Sequence, residues 1–314
     1  MLTVYRDTAQ GPDRRAIRDR SELTGDVLWL DMANPSELER QWVQDAYGHA
    51  ARFLDELSEI EASSRYFHDE HGDHLRLYFL QSDEEYTRNI DVEFTLDGKR
   101  LYSLHAGDVT VLKTFHTQTA GLSRAPTDPV SILMGIDELR VAMLADTFER
   151  MHAELESLSR AIFSGAERQM QALLQRLGRM EDANGKARLG MIENRRALNA
   201  LTGSGRSGLD HALLSDLVRD VDSLMSHSEY LFQKVDFLMD SALGVIDIQH
   251  SRRLGVFTVL SVVLMPPTLI ASIYGMNFRH MPELEWTLGY PMALLLMLAV
   301  AIGPVIYLRR KEWL

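Results

Sequence analysis

The sequence predicts an α+β membrane protein: a cytoplasmic α/β domain, a long helical stalk and a two-helix transmembrane hairpin. Three observations predict it. Residues 254–274 and 291–308 are two uncharged, mostly apolar runs separated by a short polar loop. An apolar pattern at helical spacing leads without a proline from residue 209 into the first run. The first 125 residues instead carry short strand patterns punctuated by turn signals.

In the N-terminal part, Val27-Leu28-Trp29-Leu30-Asp31 reads as a buried strand. Asn34-Pro35-Ser36-Glu37 starts a helix, with Asn34 as N-cap, Pro35 at the first helical position and Glu37 closing a capping box. Residues 74–80, 91–96 and 100–105 read as strands, with Asp97-Gly98 as a hairpin turn. After Ala125-Pro126-Thr127 the texture becomes helical. Asp128 caps and Pro129 opens one helix to about residue 164, and a second runs from about 166 to 201. A Gly/Ser-rich break at residues 203–208 follows. Leu214, Leu217, Val221, Leu224, Leu231, Val235, Leu238, Ala242 and Ile246 then repeat at helical spacing, so residues 209–274 read as one helix, roughly 100 Å long at 1.5 Å per residue.

A run of about 20 apolar residues spans about 30 Å of hydrocarbon. Two such runs joined by a short loop put both chain ends on one side. Arg252 and Arg253 precede the first run and Arg309, Arg310 and Lys311 follow the second, whereas the loop carries Arg279 beside Glu283 and Glu285. The positive-inside bias makes residues 1–250 and the C-terminus cytoplasmic. The first residues show no signal-peptide pattern. The chain is thus divided into 1–125, the α/β domain; 126–208, long helices; 209–253, stalk; 254–274, first span; 275–290, outer loop; 291–308, second span; and 309–314, basic tail.

The 314 residues contain no cysteine, which excludes disulfides, thiolate metal sites and Cys nucleophiles. The net charge is −12, and the last 64 residues are net positive, so residues 1–250 are more acidic still. That argues against nucleic acid as a partner and suits a protein that concentrates cations. No His-Glu-x-x-His, phosphate-binding Gly loop or Gly-x-Ser-x-Gly occurs, so no constellation supports an enzyme. His68, Asp69, Glu70, His71, Asp73 and His74 have metal-ligand chemistry, but Gly72 among them favours a polar hairpin tip.

At about 100° per residue, Asp222, Glu229, Asp236, Asp240 and Asp247 fall near one line of the long helix. The same line continues through Ser251, Leu254, Thr258, Ser261, Met265 and Ser272, with Thr268 at its edge. Small hydroxyls on one face also serve helix packing, and acids on a soluble helix also serve solvation. Several copies around an axis would turn the stripe into stacked acidic rings below a hydroxyl-lined pore, with Leu254 and Met265 as apolar constrictions. Pro266-Pro267 remove two amide donors and leave carbonyls near Val262 and Val263 without helical partners.

At the end of the first span stands Tyr274-Gly275-Met276-Asn277, followed by Phe278. A Gly-x-Asn there offers a carbonyl and an amide oxygen without charge, which suits a cation that keeps its water. This motif, with Met281-Pro282-Glu283-Leu284, Trp286, Gly289-Tyr290-Pro291, Pro266-Pro267-Thr268-Leu269 and the terminal Arg310-Lys311-Glu312-Trp313-Leu314, resembles the CorA magnesium transporters of the proteobacterial branch.

The resemblance implies a homopentameric funnel in the inner membrane that passes Mg²⁺, and also Co²⁺ and Ni²⁺, down their gradients, with no organic cofactor. It implies a selectivity ring of Gly275, Met276 and Asn277, an intracellular acidic ring at Asp240 and Asp247, and closure by cytoplasmic Mg²⁺ bound between subunits. Glu59 matches the acid of the family's Leu-Glu-Asp regulatory segment, here Leu57-Ser58-Glu59, with Asp216 or Asp220 as stalk partner. Ser58 departs from the family by losing a carboxylate, and Ser251 stands where the family usually has Asn. Glu283 and Glu285 would attract cations to the outer mouth. The alternatives are a ZntB-like zinc transporter, disfavoured by Met276, and a non-conducting membrane-anchored helical signalling protein.

Overall fold

The structure is a computed structural model that describes residues 1–8, 11–48, 65–83, 86–119, 126–164, 169–203, 210–276, 281–282 and 286–311. The described strands are β1 (Leu2–Thr8), β2 (Gly11–Ile17), β3 (Val27–Ala33), β4 (Tyr66–Asp69), β5 (Gly72–Ser82), β6 (Thr87–Leu96) and β7 (Leu101–His105). The helices are α1 (Glu37–Tyr47), α2 (Thr110–Thr119), α3 (Pro129–Phe163), α4 (Met170–Gly203), α5 (His211–Tyr274) and α6 (Gly289–Arg310). Contacts divide the chain into two units, one of residues 1–164 and 171–239, the other of residues 165–170 and 240–314.

In the first unit the strands form one mixed sheet in the order β2-β1-β3-β7-β6-β5-β4. Two antiparallel meanders meet at β3 and β7, which run parallel with Asp31 opposite Ser103 and Ala33 opposite His105. Alternation along the strands serves both faces of this seam. Leu30, Met32, Tyr102 and Leu104 pack with Leu2, Val4 and Val43 of α1 in one apolar cluster. Trp29, Asp31, Ser103 and His105 face the other way, towards α2, where the His116 ring stacks on Trp29 at 4.1 Å.

That second face is polar. Trp29 Nε1 donates to Ser103 Oγ at 2.8 Å, and Ser103 Oγ donates to Asp31 Oδ1 at 2.6 Å. His105 Nε2 lies 3.0 Å from the same carboxylate oxygen, and His116 Nε2 lies 3.7 Å from Asp31 Oδ2. Burial alone would raise the Asp31 carboxyl, but the hydrogen bonds and charge of its neighbours win and hold it well below the usual carboxylate range.

Two local differences from the sequence reading have clear causes. The N-cap of α1 is Ser36, which accepts from Glu39 N while the Glu39 carboxylate accepts from Ser36 N, so Asn34 and Glu37 do not cap. Asn34 instead takes a left-handed conformation (φ 44°), one that Asn tolerates better than most residues, and donates from its backbone to His105 O. The β1–β2 hairpin, β4 and the short α2 carry weaker patterns and were not anticipated. The boundaries at 125 and 208 lie outside the described residues.

The three long helices share a seven-residue repeat. Buried positions on α5 fall at Leu214, Leu217, Val221, Leu224, Ser228, Leu231, Val235 and Leu238, and on α4 at Leu173, Leu177, Met180, Asn184, Ala187, Met191, Asn194, Leu198 and Leu201. Alternating steps of three and four are the phase of a coiled-coil seam. Each seam contains a polar break, and the breaks meet. Asn184 Nδ2 donates to Ser228 O, and Ser228 Oγ donates to Asn184 Oδ1, both at 3.0 Å and both fully buried. Further along α4, Arg188 and Arg195 pair with Glu229 and, at 2.9 Å, with Asp222 on α5.

A buried ion pair ties α3 to the sheet. Arg140 Nη2 lies 2.7 Å from Asp137, Arg140 Nη1 donates to Tyr78 O at 2.9 Å, and Asn194 of α4 donates to Asp137 at 3.2 Å. The sheet also reaches α4 directly: Arg65 pairs with Glu193 at 2.9 Å and Lys186 Nζ donates to Thr87 O at 2.6 Å.

Two predictions follow from these contacts. Ser228→Ala strands the Asn184 amide oxygen in the seam and is expected to lower unfolding free energy by about 1–3 kcal/mol. The double variant Asn184→Leu/Ser228→Ala, with no buried polar group left, should recover most of it in denaturant melts. Asp31 has a depressed carboxyl, so its contribution is present above the ordinary aspartate range and lost as pH falls below about 4. Acid unfolding followed by circular dichroism should show that limb weakened in Asp31→Asn.

Candidate ion pathway

The second unit holds two apolar helical segments: residues 254–274, which complete α5, and α6. Both are long and apolar enough to cross a membrane, and neither is hidden in protein. Val256 and Met265 are each 71% exposed and Leu295 is 67% exposed, so these are not core helices of a soluble fold. α5 is an unbroken helix of 64 residues that carries Pro266 and Pro267 within it. Arg252 and Arg253 sit at the start of the apolar stretch, and Arg309 and Arg310 end α6.

Along the apolar stretch, Ser251, Leu254, Thr258, Met265, Thr268 and Ser272 are exposed and Ser261 is half-buried in the single chain. Three hydroxyls are oriented by their own helix. Thr258 donates to Leu254 O at 2.8 Å, Ser261 to Phe257 O at 3.0 Å and Thr268 to Leu264 O at 2.7 Å. Each hydroxyl hydrogen is used within the helix, so the oxygen faces outward as an acceptor. A row of acceptors suits a hydrated cation, whose bound waters point hydrogens outward.

The helix closes at Gly275, whose amide donates to Ala271 O at 2.9 Å, and Met276 N reaches Ile273 O at 3.2 Å. A Cβ at Gly275 would stand 3.2 Å from Ala271 O, tighter than ordinary packing. Met276 is half-exposed. Asn277, Glu283 and Glu285 lie outside the described residues, as does Glu59.

The acidic stripe separates into two classes, a distinction invisible in the helical projection. Asp222 and Glu229 are matched to Arg195 and Arg188 of α4. A hydrogen bond from Arg188, with its charge, holds the Glu229 carboxyl below its usual range. Asp236, Asp240 and Asp247 have no ion pair among the described residues and keep their charge for solvent or a cation. Of the stalk acids, Asp216 accepts from Arg219 at 2.6 Å, whereas Asp220 has no such partner among the described residues. Ser228 was passed over in the sequence because a lone serine at a seam position carries no signal until its partner on α4 is known.

The histidine-rich stretch is the tip of the β4–β5 hairpin, with His68 opposite Asp73 and Asp69 opposite Gly72. Its side chains satisfy one another: His68 Nδ1 lies 2.9 Å from Asp73, His74 Nε2 lies 2.9 Å from Asp69, and Tyr66 OH donates to Asp73 at 2.9 Å. Among the described residues no group of three His, Asp or Glu side chains is placed to hold a metal ion.

Comparison with known proteins agrees with this arrangement. The magnesium transport protein CorA of Pectobacterium atrosepticum is 39% identical over 319 residues, covering both chains completely. Among solved structures, the CorA magnesium transporter of Methanocaldococcus jannaschii superposes with a TM-score of 0.75 at 17% identity, over 100% of this chain and 99% of that one. The full-length CmaX protein superposes at 0.69 with 14% identity, over 100% and 98%. At such identities the two structures establish the shared fold alone. Residues 24–310 match the family model described as CorA-like Mg2+ transporter protein, and on that match together with the full-length 39% identity the chain belongs to the CorA-like Mg²⁺ transporter family.

Proposed function

We propose that the chain is a passive, membrane-embedded Mg²⁺ transporter of the channel type. The observation that carries this reading is α5 itself: one helix joins Asp236, Asp240 and Asp247, which have no ion pair among the described residues, to a row of outward-facing hydroxyl oxygens and ends at Gly275. The name of the full-length relative points to the same ion.

One copy with two spans cannot enclose water, so the pathway requires several copies about an axis, and the family resemblance makes the number five. Residues 1–250 and the C-terminus lie in the cytoplasm, a reading that the distribution of arginine and lysine supports, and the hairpin lies in the inner membrane, as the family resemblance implies. Mg²⁺ sheds its water reluctantly. A neutral ring of Gly275 carbonyls and Asn277 amides at the outer end, with Met276 between them, binds the hydration shell without stripping it. Glu283 and Glu285 raise the local cation concentration. Below, Thr258, Ser261, Thr268, Ser272 and Ser251 accept hydrogen bonds from the ion's waters, and Leu254 and Met265 narrow the path enough to gate it by dewetting. Asp240 and Asp247 supply the negative charge that draws the ion inward. Co²⁺ and Ni²⁺, also hexahydrated, pass by the same route.

Closure is regulated by cytoplasmic Mg²⁺ held between neighbouring copies, with Glu59 on one copy and Asp220 or Asp216 on the stalk of the next. Asp216 accepts from Arg219, whereas Asp220 has no ion pair among the described residues, which favours Asp220.

In proteoliposomes loaded with a Mg²⁺ indicator, Asn277→Ala is expected to reduce Mg²⁺ entry to background while leaving assembly intact. Unchanged entry overturns the selectivity ring, and entry of Zn²⁺ in place of Mg²⁺ in the unmodified protein overturns the ion assignment. Glu59→Ala is expected to move inhibition by internal Mg²⁺ to higher concentration. Superimposable inhibition curves would remove Glu59 from the regulatory site.

A further inference from the structure

The polar face of the β3–β7 seam sets two acceptors against the two ring nitrogens of His105, one more than a neutral histidine can serve. His105 Nδ1 lies 2.8 Å from Gly107 O, in hydrogen-bonding geometry, and a carbonyl oxygen only accepts. The ring's other nitrogen, Nε2, lies 3.0 Å from Asp31 Oδ1. A neutral imidazole has a single N–H. With one hydrogen, it leaves either a lone pair against the carbonyl or a lone pair against the carboxylate. His105 and Asp31 are both almost fully buried, so water does not relieve either contact.

The remaining partners do not supply the missing hydrogen. Ser103 Oγ receives the Trp29 indole N–H and sends its own hydrogen to Asp31 Oδ1. The charged and titratable groups on the surrounding elements are otherwise committed. His116 on α2 approaches the opposite carboxylate oxygen at 3.7 Å. Asp108 and Lys113, at the start of α2, pair with each other at the surface. On β6 the residue opposite His105 is Val92, and Asp91 pairs with Arg76. On α3, Asp137 and Arg140 neutralise each other. Among the described residues Asp31 is the one carboxylate against the ring, so the extra proton completes a buried, net-neutral pair.

We infer that the Asp31–His105 pair binds one proton at neutral pH as an aspartate–imidazolium pair, making the parallel seam of the sheet a proton-dependent latch on the α/β domain. The sign follows from linkage. A histidine that keeps its proton in the native state but titrates near pH 6.5 when unfolded stabilises the fold at lower pH, and the contribution is lost as pH rises through the native titration. Alkaline conditions therefore loosen the joint between the two meanders, at the strand that leads through Gly107 into α2. The inference is independent of which ion the chain carries.

The full-length chain, reconstituted in lipid vesicles and labelled with ¹⁵N-histidine, provides the test. At about pH 7.5, where an ordinary imidazole is mostly neutral, solid-state spectra are expected to retain a doubly protonated ring, and that signal is expected to vanish in His105→Gln. Only singly protonated rings in the unmodified protein, or an imidazolium signal that survives in His105→Gln, overturns the inference. In parallel, the unfolding equilibrium constant of the unmodified protein is expected to rise with pH above about 6.5, by up to tenfold per pH unit for one linked proton, and to lose that dependence in His105→Gln. Equal slopes overturn it. Should the variant fail to fold, the spectrum of the unmodified protein decides alone.

Discussion

Backbone satisfaction along α5 is the constraint on which the rest of this molecule depends. A segment crossing hydrocarbon must meet its own amide and carbonyl groups, and an unbroken helix does so at every residue except at Pro266 and Pro267, which leave the carbonyls of Val262 and Val263 without helical donors. The same helix must also bury a seam against protein at its other end. It meets both demands by changing its pattern rather than its conformation. Residues 214–238 confine apolar side chains to one seven-residue seam, and residues 254–274 are apolar nearly all round.

Several of the polar groups buried in the first unit occur where two elements need a unique relation. Apolar seams with a strict repeat pack almost as well when slid by one repeat, because leucine meets leucine again. Asn184 and Ser228 remove that freedom, since each finds its partner in one register alone. Asp137, Arg140 and Asn194 fix α3 against α4 and the sheet in the same way, and Asp31, Ser103 and His105 fix the parallel joint. Such groups add little net stability over well-packed apolar side chains. Their cost when one partner is removed is what makes the native arrangement singular.

This economy bears on function through the acids of α5. A carboxylate already paired with arginine is a poor attractor of cations, because its charge is spent on the neighbour. The pairs of Arg195 with Asp222 and Arg188 with Glu229 therefore move the available negative charge towards Asp236, Asp240 and Asp247, nearer the apolar stretch. Beyond them, the hydroxyls of Thr258, Ser261 and Thr268 present oxygen rather than hydrogen to their surroundings, each hydrogen being committed to a carbonyl one turn earlier.

Much of this was legible in the sequence. Hydrophobic period and turn chemistry are local, so the strands around Trp29, Leu77 and Phe94, the helix opened by Asp128-Pro129 and the long helix α5 could be read with boundaries within a few residues. The two apolar runs with their basic flanks, and the Gly275-Met276-Asn277 motif with its surroundings, carried the family. Short, weakly patterned elements such as β1, β2 and α2 were not legible, and the cap of α1 was misread, because Asn34 and Ser36 are both good caps and only the approach of His105 decides between them. By itself, then, the sequence determined what depends on one element at a time: helix, strand, span and motif. Tertiary structure alone decided which stalk acids are neutralised, why a serine interrupts a leucine seam, and that Asp31 and His105, 74 residues apart, share one proton site. The physical reason is that a hydrogen bond or ion pair belongs to two elements at once, and the choice of partner is made only when they pack.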